Sequence, residues 1–265
     1  MINSPILEKL REMRLNTFAK EFELQLLNSE NFSQLGFEER LGLLVDAEWN
    51  QKQVNKLNNC VKNAHFPVAS ACIEEIEYFP DRKLDKAQIL RFATCNFIDE
   101  KSHIIINGTT GTGKTYLACA IGKAACRKFK NVKYTRMPEL LDEFTISRIN
   151  GNIKKLIETY CKTDLLIIDD WLIRELNQQQ AFDLLEIVEG RASQKLGRES
   201  MIICSQYDFD DWYERINPDP NSESPVTEAI MDRIMHKSHR MLIKGDVSMR
   251  ERHGLKYQAR QLENI

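Results

Sequence analysis

The chain contains no apolar run approaching the length of a membrane span, which argues against a helical membrane protein. The segment from Met1 to Arg14 carries Glu8, Lys9, Arg11, Glu12 and Arg14 among its apolar residues, so it lacks the uninterrupted core of a signal peptide. A cytoplasmic protein is expected. There is no C-x-x-C pair. The seven cysteines, at 60, 72, 95, 119, 126, 161 and 204, form an odd, unpatterned set, which argues for reduced thiols packed as small hydrophobes. No cysteine or carboxylate pattern completes a metal site around His236, His239 and His253, so these are expected to be surface histidines. Charge of one sign is also lacking. The formal net charge is −2, which neither demands nor excludes nucleic acid, because local patches matter more than the total. No internal repeat is present. What remains is a 265-residue chain, 42% hydrophobic and 29% charged, with material for one large domain or two small ones.

Its chemistry centres on residues 104 to 119. The apolar run Ile104 to Ile106 reads as a strand and stops at Asn107. Gly108, Thr109, Thr110, Gly111, Thr112, Gly113, Lys114 and Thr115 then match G-x-x-x-x-G-K-[ST], and a helix-forming run follows from Tyr116 through Ala125. Strand, glycine loop and helix together form the context of a phosphate-binding loop. The glycines let the backbone wrap closely, and its N–H groups and the helix N-terminus favour an anion. Lys114 is expected at the β- and γ-phosphates of ATP, with the Thr115 hydroxyl on Mg²⁺ and Tyr116 completing the loop's contacts.

A second centre lies 55 residues after Lys114, where Leu165 to Ile168 lead into Asp169 and Asp170. Four apolar residues suit a buried central strand, and its C-terminal edge is where ligands of open α/β sheets bind. Asp169 is expected to share Mg²⁺ with Thr115, and Asp170 to orient and deprotonate the attacking water. Ser205 and Gln206 follow the apolar strand 201–204 and are candidate sensors of that water, although a helix cap or turn is the commoner use of such a pair. Arg233 follows Asp232 on an expected helix, and Arg250 lies in Ser248-Met249-Arg250. From Arg233 onward there are eight Lys or Arg against three acids, Asp246, Glu251 and Glu263, a local excess suited to phosphate backbones or an acidic face.

Alternation of strand and helix from residue 103 onward predicts a parallel α/β domain, with strands at 132–135, 165–169, 201–204 and 241–243. Helices are expected over 85–94, 138–148, 153–161, 178–192 and 227–236, with 217–225 as a surface loop and 73–79 as an extended lead-in. Ahead of these, apolar spacing predicts one helix over 5–28 and a second over 38–63, separated by a polar break at 31–36. They form a small helical domain, placed at 1–75, before an ATPase domain at 76–265. The helices either pack on the rest of the chain or form a separate module that grips DNA or a partner, and periodicity does not choose between the two.

The chain resembles the IstB family, the AAA+ helper ATPases of insertion-sequence transposition, and more distantly the DnaC-type helicase loaders. The likeness runs almost end to end. It includes Phe37-Glu38-Glu39-Arg40-Leu41, Glu48-Trp49-Asn50, Ile76-Glu77-Tyr78, Leu84-Asp85-Lys86, the loop 108–115, Leu165 to Trp171, Cys204-Ser205-Gln206, Asp232-Arg233-Ile234 and Gly245 to Arg250. The resemblance implies a bacterial AAA+ P-loop NTPase, a parallel sheet flanked by helices behind a helical N-terminal domain. It implies ATP-promoted homo-oligomerisation on duplex DNA and a transposase of the same element as partner. It gives Ser205-Gln206 the role of sensor 1, Arg233 that of a finger reaching a neighbour's ATP, and Arg250 that of sensor 2. Asp170 stands where many relatives have Glu. An extra helix of the initiator-like branch fits within 138–161, with Arg148, Lys154 and Lys155 as DNA contacts or else as a solvated face. A helicase loader, a small-molecule kinase and a DNA adaptor that uses ATP only structurally are the competing readings.

Overall fold

A computed structural model describes residues 5–193, 198–217 and 224–254. Most of the expected loop 217–225 and the tail residues Lys256, Arg260 and Glu263 lie outside the described residues. The chain divides into two compact units, residues 1–59 and 60–265. The division falls earlier than the expected 75/76, so residues 60–75 belong to the second unit.

In the first unit, α1 (Pro5–Glu12) and α2 (Asn16–Leu27) replace the single helix expected over 5–28. The break is a helix-ending turn built without glycine. Arg14 takes φ 59°, Leu15 N–H reaches back to Leu10 O and Arg14 N–H to Arg11 O, both at 2.9 Å. Leu15 has no side chain able to cap α2. The carboxylate of Glu48 does so instead, accepting the N–H groups of Thr17 at 3.0 Å and Phe18 at 2.9 Å. Glu48 sits on the long helix α3 (Phe37–Ala64).

The second unit is built on a parallel sheet of β1 (His103–Gly108), β2 (Val132–Arg136), β3 (Leu165–Trp171), β4 (Met201–Ser205) and β5 (Ser238–Ile243). The order across the sheet is β2-β3-β4-β1-β5. The middle strands are apolar runs because both faces are covered. Ile104 to Ile106, Leu165 to Ile168 and Met201 to Cys204 are all buried. Burial of each such side chain contributes about 1.5–3 kcal/mol.

The expected helices appear as α4 (Lys86–Ala93), α6 (Lys114–Arg127), α7 (Met137–Ile149), α8 (Ile153–Cys161), α9 (Gln178–Ala192) and α11 (Pro225–Met235). Short helices not anticipated are α5 (Asn96–Asp99), α10 (Phe209–Ile216) and α12 (Met249–Arg252). Asp85 caps α4 through Ala87 N–H and Gln88 N–H, and Gly151 at φ 69° separates α7 from α8. Residues 73–75 form a single 3-10 turn rather than the start of an extended segment. Trp171 and Trp212 pack at 5.4 Å within a buried apolar cluster, between β3 and α10. None of the described helices is long and apolar enough to cross a membrane.

Candidate nucleotide site

The C-terminal ends of β1, β3 and β4 open on a cleft of about 550 Å³. The loop between β1 and α6 forms its floor. Gly111 at φ 86° and Gly113 at φ 93° hold left-handed conformations that a side chain would strain. Thr112 is buried and its hydroxyl donates to Thr109 O at 2.9 Å, closing the loop on itself. Lys114 Nζ donates to Gly108 O at 2.6 Å and Thr109 O at 2.9 Å, so the lysine is folded over the loop. Burial lowers its pKa from the ordinary lysine value. Thr110 reaches across to Gln206 Oε1 at 3.1 Å, and the Tyr116 hydroxyl accepts Cys72 N–H at 3.3 Å at the opposite rim.

Asp169 is buried at the end of β3. Its Oδ2 accepts the Thr115 hydroxyl at 2.6 Å and the Tyr134 hydroxyl at 2.8 Å, and its Oδ1 accepts Asp170 N–H at 2.9 Å. A threonine hydroxyl that donates to a carboxylate keeps its own lone pairs for a cation. Among the described residues no three His, Cys, Asp or Glu side chains cluster as a metal cage. Mg²⁺ bound by one or two protein oxygens, with water and phosphate oxygens completing its shell, fits this donor set. Burial, reinforced by Asp169, raises the pKa of Tyr134, so its hydroxyl stays a donor.

The strand is irregular at this point. Its register against β4 shifts between Ile168 and Trp171, and Asp170 takes φ 52°. Such a conformation costs of order 1–3 kcal/mol and turns the Asp170 carboxylate toward the cleft. There Asp170 Oδ2 meets Arg136 Nε at 2.8 Å and its terminal nitrogen at 2.7 Å. That contact raises the pKa of Arg136.

The remaining expected residues divide. Gln206 and Arg250 line the cleft. Ser205 does not. It is fully buried, and its hydroxyl accepts Tyr207 N–H at 3.1 Å and Trp212 Nε1–H at 3.1 Å. Of the expected pair only Gln206 therefore reaches the cleft, because adjacent residues at a strand end face opposite ways. Arg233 lies on α11 away from the cleft, its guanidinium on Glu189 at 2.8 Å and on Ala229 O at 2.9 Å. Arg148 is exposed and ion-paired with the buried Asp183, and Lys154 and Lys155 are exposed. Tyr134 and Arg136 were missed from the sequence. Both sit on β2, whose contact with the acidic pair depends on strand order.

Residues 8–257 match the family described as IstB-like ATP-binding protein. The chain belongs to that family. It is 37% identical over 247 residues to an insertion sequence ATP-binding protein, y4pL, of Sinorhizobium fredii, covering 93% of this chain and 96% of that one. It is 35% identical to the ATP-binding protein of insertion sequence IS1162 from Pseudomonas fluorescens, covering 78% and 87%. Among solved structures, the DnaC helicase loader superposes with a TM-score of 0.55 at 18% identity, over 66% of this chain and 98% of that one. AMPPCP-bound DnaA from Aquifex aeolicus superposes with a TM-score of 0.54 at 19% identity, over 76% and 57%. These likenesses show the AAA+ P-loop fold.

Proposed function

We propose that this protein is an ATP-hydrolysing, DNA-binding regulator that assembles on duplex DNA and assists a transposase in choosing where an insertion sequence integrates. The observation that carries the reading is the single cleft that gathers the P-loop, the Thr115–Asp169 pair, Asp170, Gln206 and Arg250. In it Lys114 exchanges its loop carbonyls for the β- and γ-phosphates, which the loop N–H groups cradle. Thr115 and Asp169 hold Mg²⁺, which supplies charge neutralisation on the phosphate oxygens. Asp170 accepts the proton of the attacking water, Gln206 orients that water, and Arg250 faces the terminal phosphate. Arg233, remote from its own cleft, serves a neighbouring copy's ATP, so the assembly is a homo-oligomer promoted by ATP. Lys154 and Lys155 on α8, with Arg148 once freed from Asp183, contact the DNA backbone. The helical unit 1–59 meets DNA or the transposase, and the unit 60–265 is the ATPase. A replicative helicase loader is the second reading, favoured by the DnaC-like fold.

The test is ATP turnover by mixed variants. Lys114→Ala should abolish ATP binding, and Asp170→Asn should bind ATP but hydrolyse it slowly. Arg233→Ala should bind ATP and lose both hydrolysis and ATP-dependent assembly, since an arginine supplied in trans is worth about 10³–10⁵ in rate. Mixtures of Arg233→Ala with Asp170→Asn should recover part of the activity, because some interfaces pair intact Arg233 with intact Asp170. No recovery in mixtures shown by light scattering to co-assemble refutes the shared site. DNA affinity should fall steeply with salt and, in Lys154→Ala/Lys155→Ala, fall alike on all sequences.

A further inference from the structure

Asp81 and Arg82 take no part in the function proposed above, yet they underlie the floor of the cleft. Arg82 is buried. One of its terminal nitrogens donates to Thr112 O, a carbonyl of the P-loop, at 2.9 Å, and the other to Glu77 O at 2.5 Å. A Cβ at Gly113 would lie 2.9 Å from that first nitrogen, so the guanidinium is packed directly behind the loop. The carbonyl of Arg82 accepts Lys244 N–H at 3.2 Å, which ties the same residue to the chain leaving β5.

Asp81 faces the other way. Its Oδ2 accepts Arg252 at 2.5 Å and Asp246 N–H at 3.2 Å. The Arg252 guanidinium also stacks 4.3 Å from the Phe79 ring centre, and its side chain is almost wholly covered. Met249 N–H donates to Gly111 O at 2.8 Å. The short helix α12 is thus pinned at two points, to the P-loop through Met249 and to Asp81 through Arg252. Arg250, which lines the cleft, lies between them. A four-residue helix has little stability of its own, so where it points is decided by these anchors.

We propose that Asp81 and Arg82 are positioning residues of the nucleotide site: Arg82 holds the P-loop by the Thr112 carbonyl, and Asp81, through Arg252, holds the helix that presents Arg250 to the cleft. The proposal rests on the reading of this cleft as the nucleotide site and of Arg250 as a contact to the terminal phosphate. It gives the turn Pro80–Arg82 a task. The two residues act on different parts of the ligand. The P-loop cradles phosphates common to ADP and ATP, whereas Arg250 meets the phosphate found only in ATP.

The experiment is equilibrium binding of fluorescent ADP and of a non-hydrolysable ATP analogue to the full chain, with melting temperatures recorded for every variant. Asp81→Asn should weaken the ATP analogue about tenfold and ADP less than about threefold. Adding Asp81→Asn to Arg250→Ala should cause no further loss, because both act through one side chain. Arg82→Lys, which keeps the charge but loses the forked geometry, should weaken both nucleotides together. Losses that multiply in the Asp81→Asn/Arg250→Ala double variant overturn the role of Asp81, as does equal weakening of ADP and ATP by Asp81→Asn. Wild-type affinity in a folded Arg82→Lys overturns the role of Arg82. Lys114→Ala separates the two levels. If it binds both nucleotides normally, the reading of the cleft itself fails; if it loses binding while Asp81→Asn is silent, only the brace fails.

Discussion

Tyr134→Phe isolates one hydrogen bond at the buried Asp169 carboxylate. The substitution removes the hydroxyl that donates to Asp169 Oδ2 at 2.8 Å and leaves the buried ring in place, so no cavity forms. Asp169 keeps the Thr115 hydroxyl and Asp170 N–H as donors, at 2.6 and 2.9 Å. What is lost is one hydrogen bond to a buried, charged acceptor, worth about 1.5–3 kcal/mol. For a unit of this size that corresponds to a fall in melting temperature of about 3–12 °C. Thermal denaturation followed by circular dichroism reads it directly. The stabilisation on adding Mg²⁺ and an ATP analogue should be at least as large as in wild type, since Thr115 and Asp169 both remain. A melting temperature within about 1 °C of wild type would show that the hydroxyl does not hold Asp169. Loss of the ligand-induced shift would show that Tyr134 belongs to the nucleotide contact itself.

Two other outcomes follow from the same structure. His103 is buried, accepts Met201 N–H at 3.2 Å on Nδ1, and so donates from Nε2 to Arg233 O at 3.2 Å. Burial lowers its pKa to about 4 from 6.5. The unfolded chain therefore binds the extra proton first as pH falls. His103 contributes its full share of stability above pH 6.5 and loses it between 6.5 and 4, a span worth about 3 kcal/mol. Denaturant titrations across that window should show the slope, His103→Gln should flatten it, and an unchanged slope in the variant would assign it to other groups. Arg136→Gln removes a cation from the proposed catalytic carboxylate. An ion-paired carboxylate is the poorer base, and this pair is partly exposed and worth at most about 1 kcal/mol. Basal ATP hydrolysis should rise up to about fivefold with binding unchanged, and a fall in hydrolysis at unchanged affinity would make Arg136 part of the catalytic machinery.

The strands were legible because their burial is written as apolar runs bounded by polar turns, as in Leu165 to Ile168 before Asp169. The P-loop was legible because its glycines and Lys114 serve local geometry. What was illegible depends on distant neighbours or on conformations without a residue signature. Arg136 lies opposite Asp169 because β2 borders β3, and no local pattern states that order. The turn at Arg14 uses a left-handed residue that is not glycine, so the periodicity of α1 and α2 reads as one helix. The helix α10 is eight residues long and buries only Trp212 and Ile216, too short a pattern to stand out, although its capping box, Asp208 with Asp211, was readable. Ser205 and Gln206 are neighbours in sequence, but the strand end turns one into the core and the other to the cleft.

The cations around the cleft bear on the proposal that a second chain completes the site. Lys114 is folded on its own loop and Arg136 is committed to Asp170. Arg250 approaches from the end of the chain, on a helix whose direction depends on Asp81. Arg233 is held by Glu189 on α9, and its backbone carbonyl by His103 at the start of β1. In the proposed assembly Arg233 must leave Glu189 for a neighbour's phosphate. The side chains of that pair are 34% and 49% exposed, so breaking it costs at most about 1 kcal/mol. That is small beside a rate gain of about 10³–10⁵ from an arginine in trans. The backbone anchor at His103 is buried and need not break. In the proposed assembly the finger is therefore carried on a fixed stem with a weakly tethered tip, an arrangement that would keep the isolated chain slow in hydrolysis without opposing its assembly.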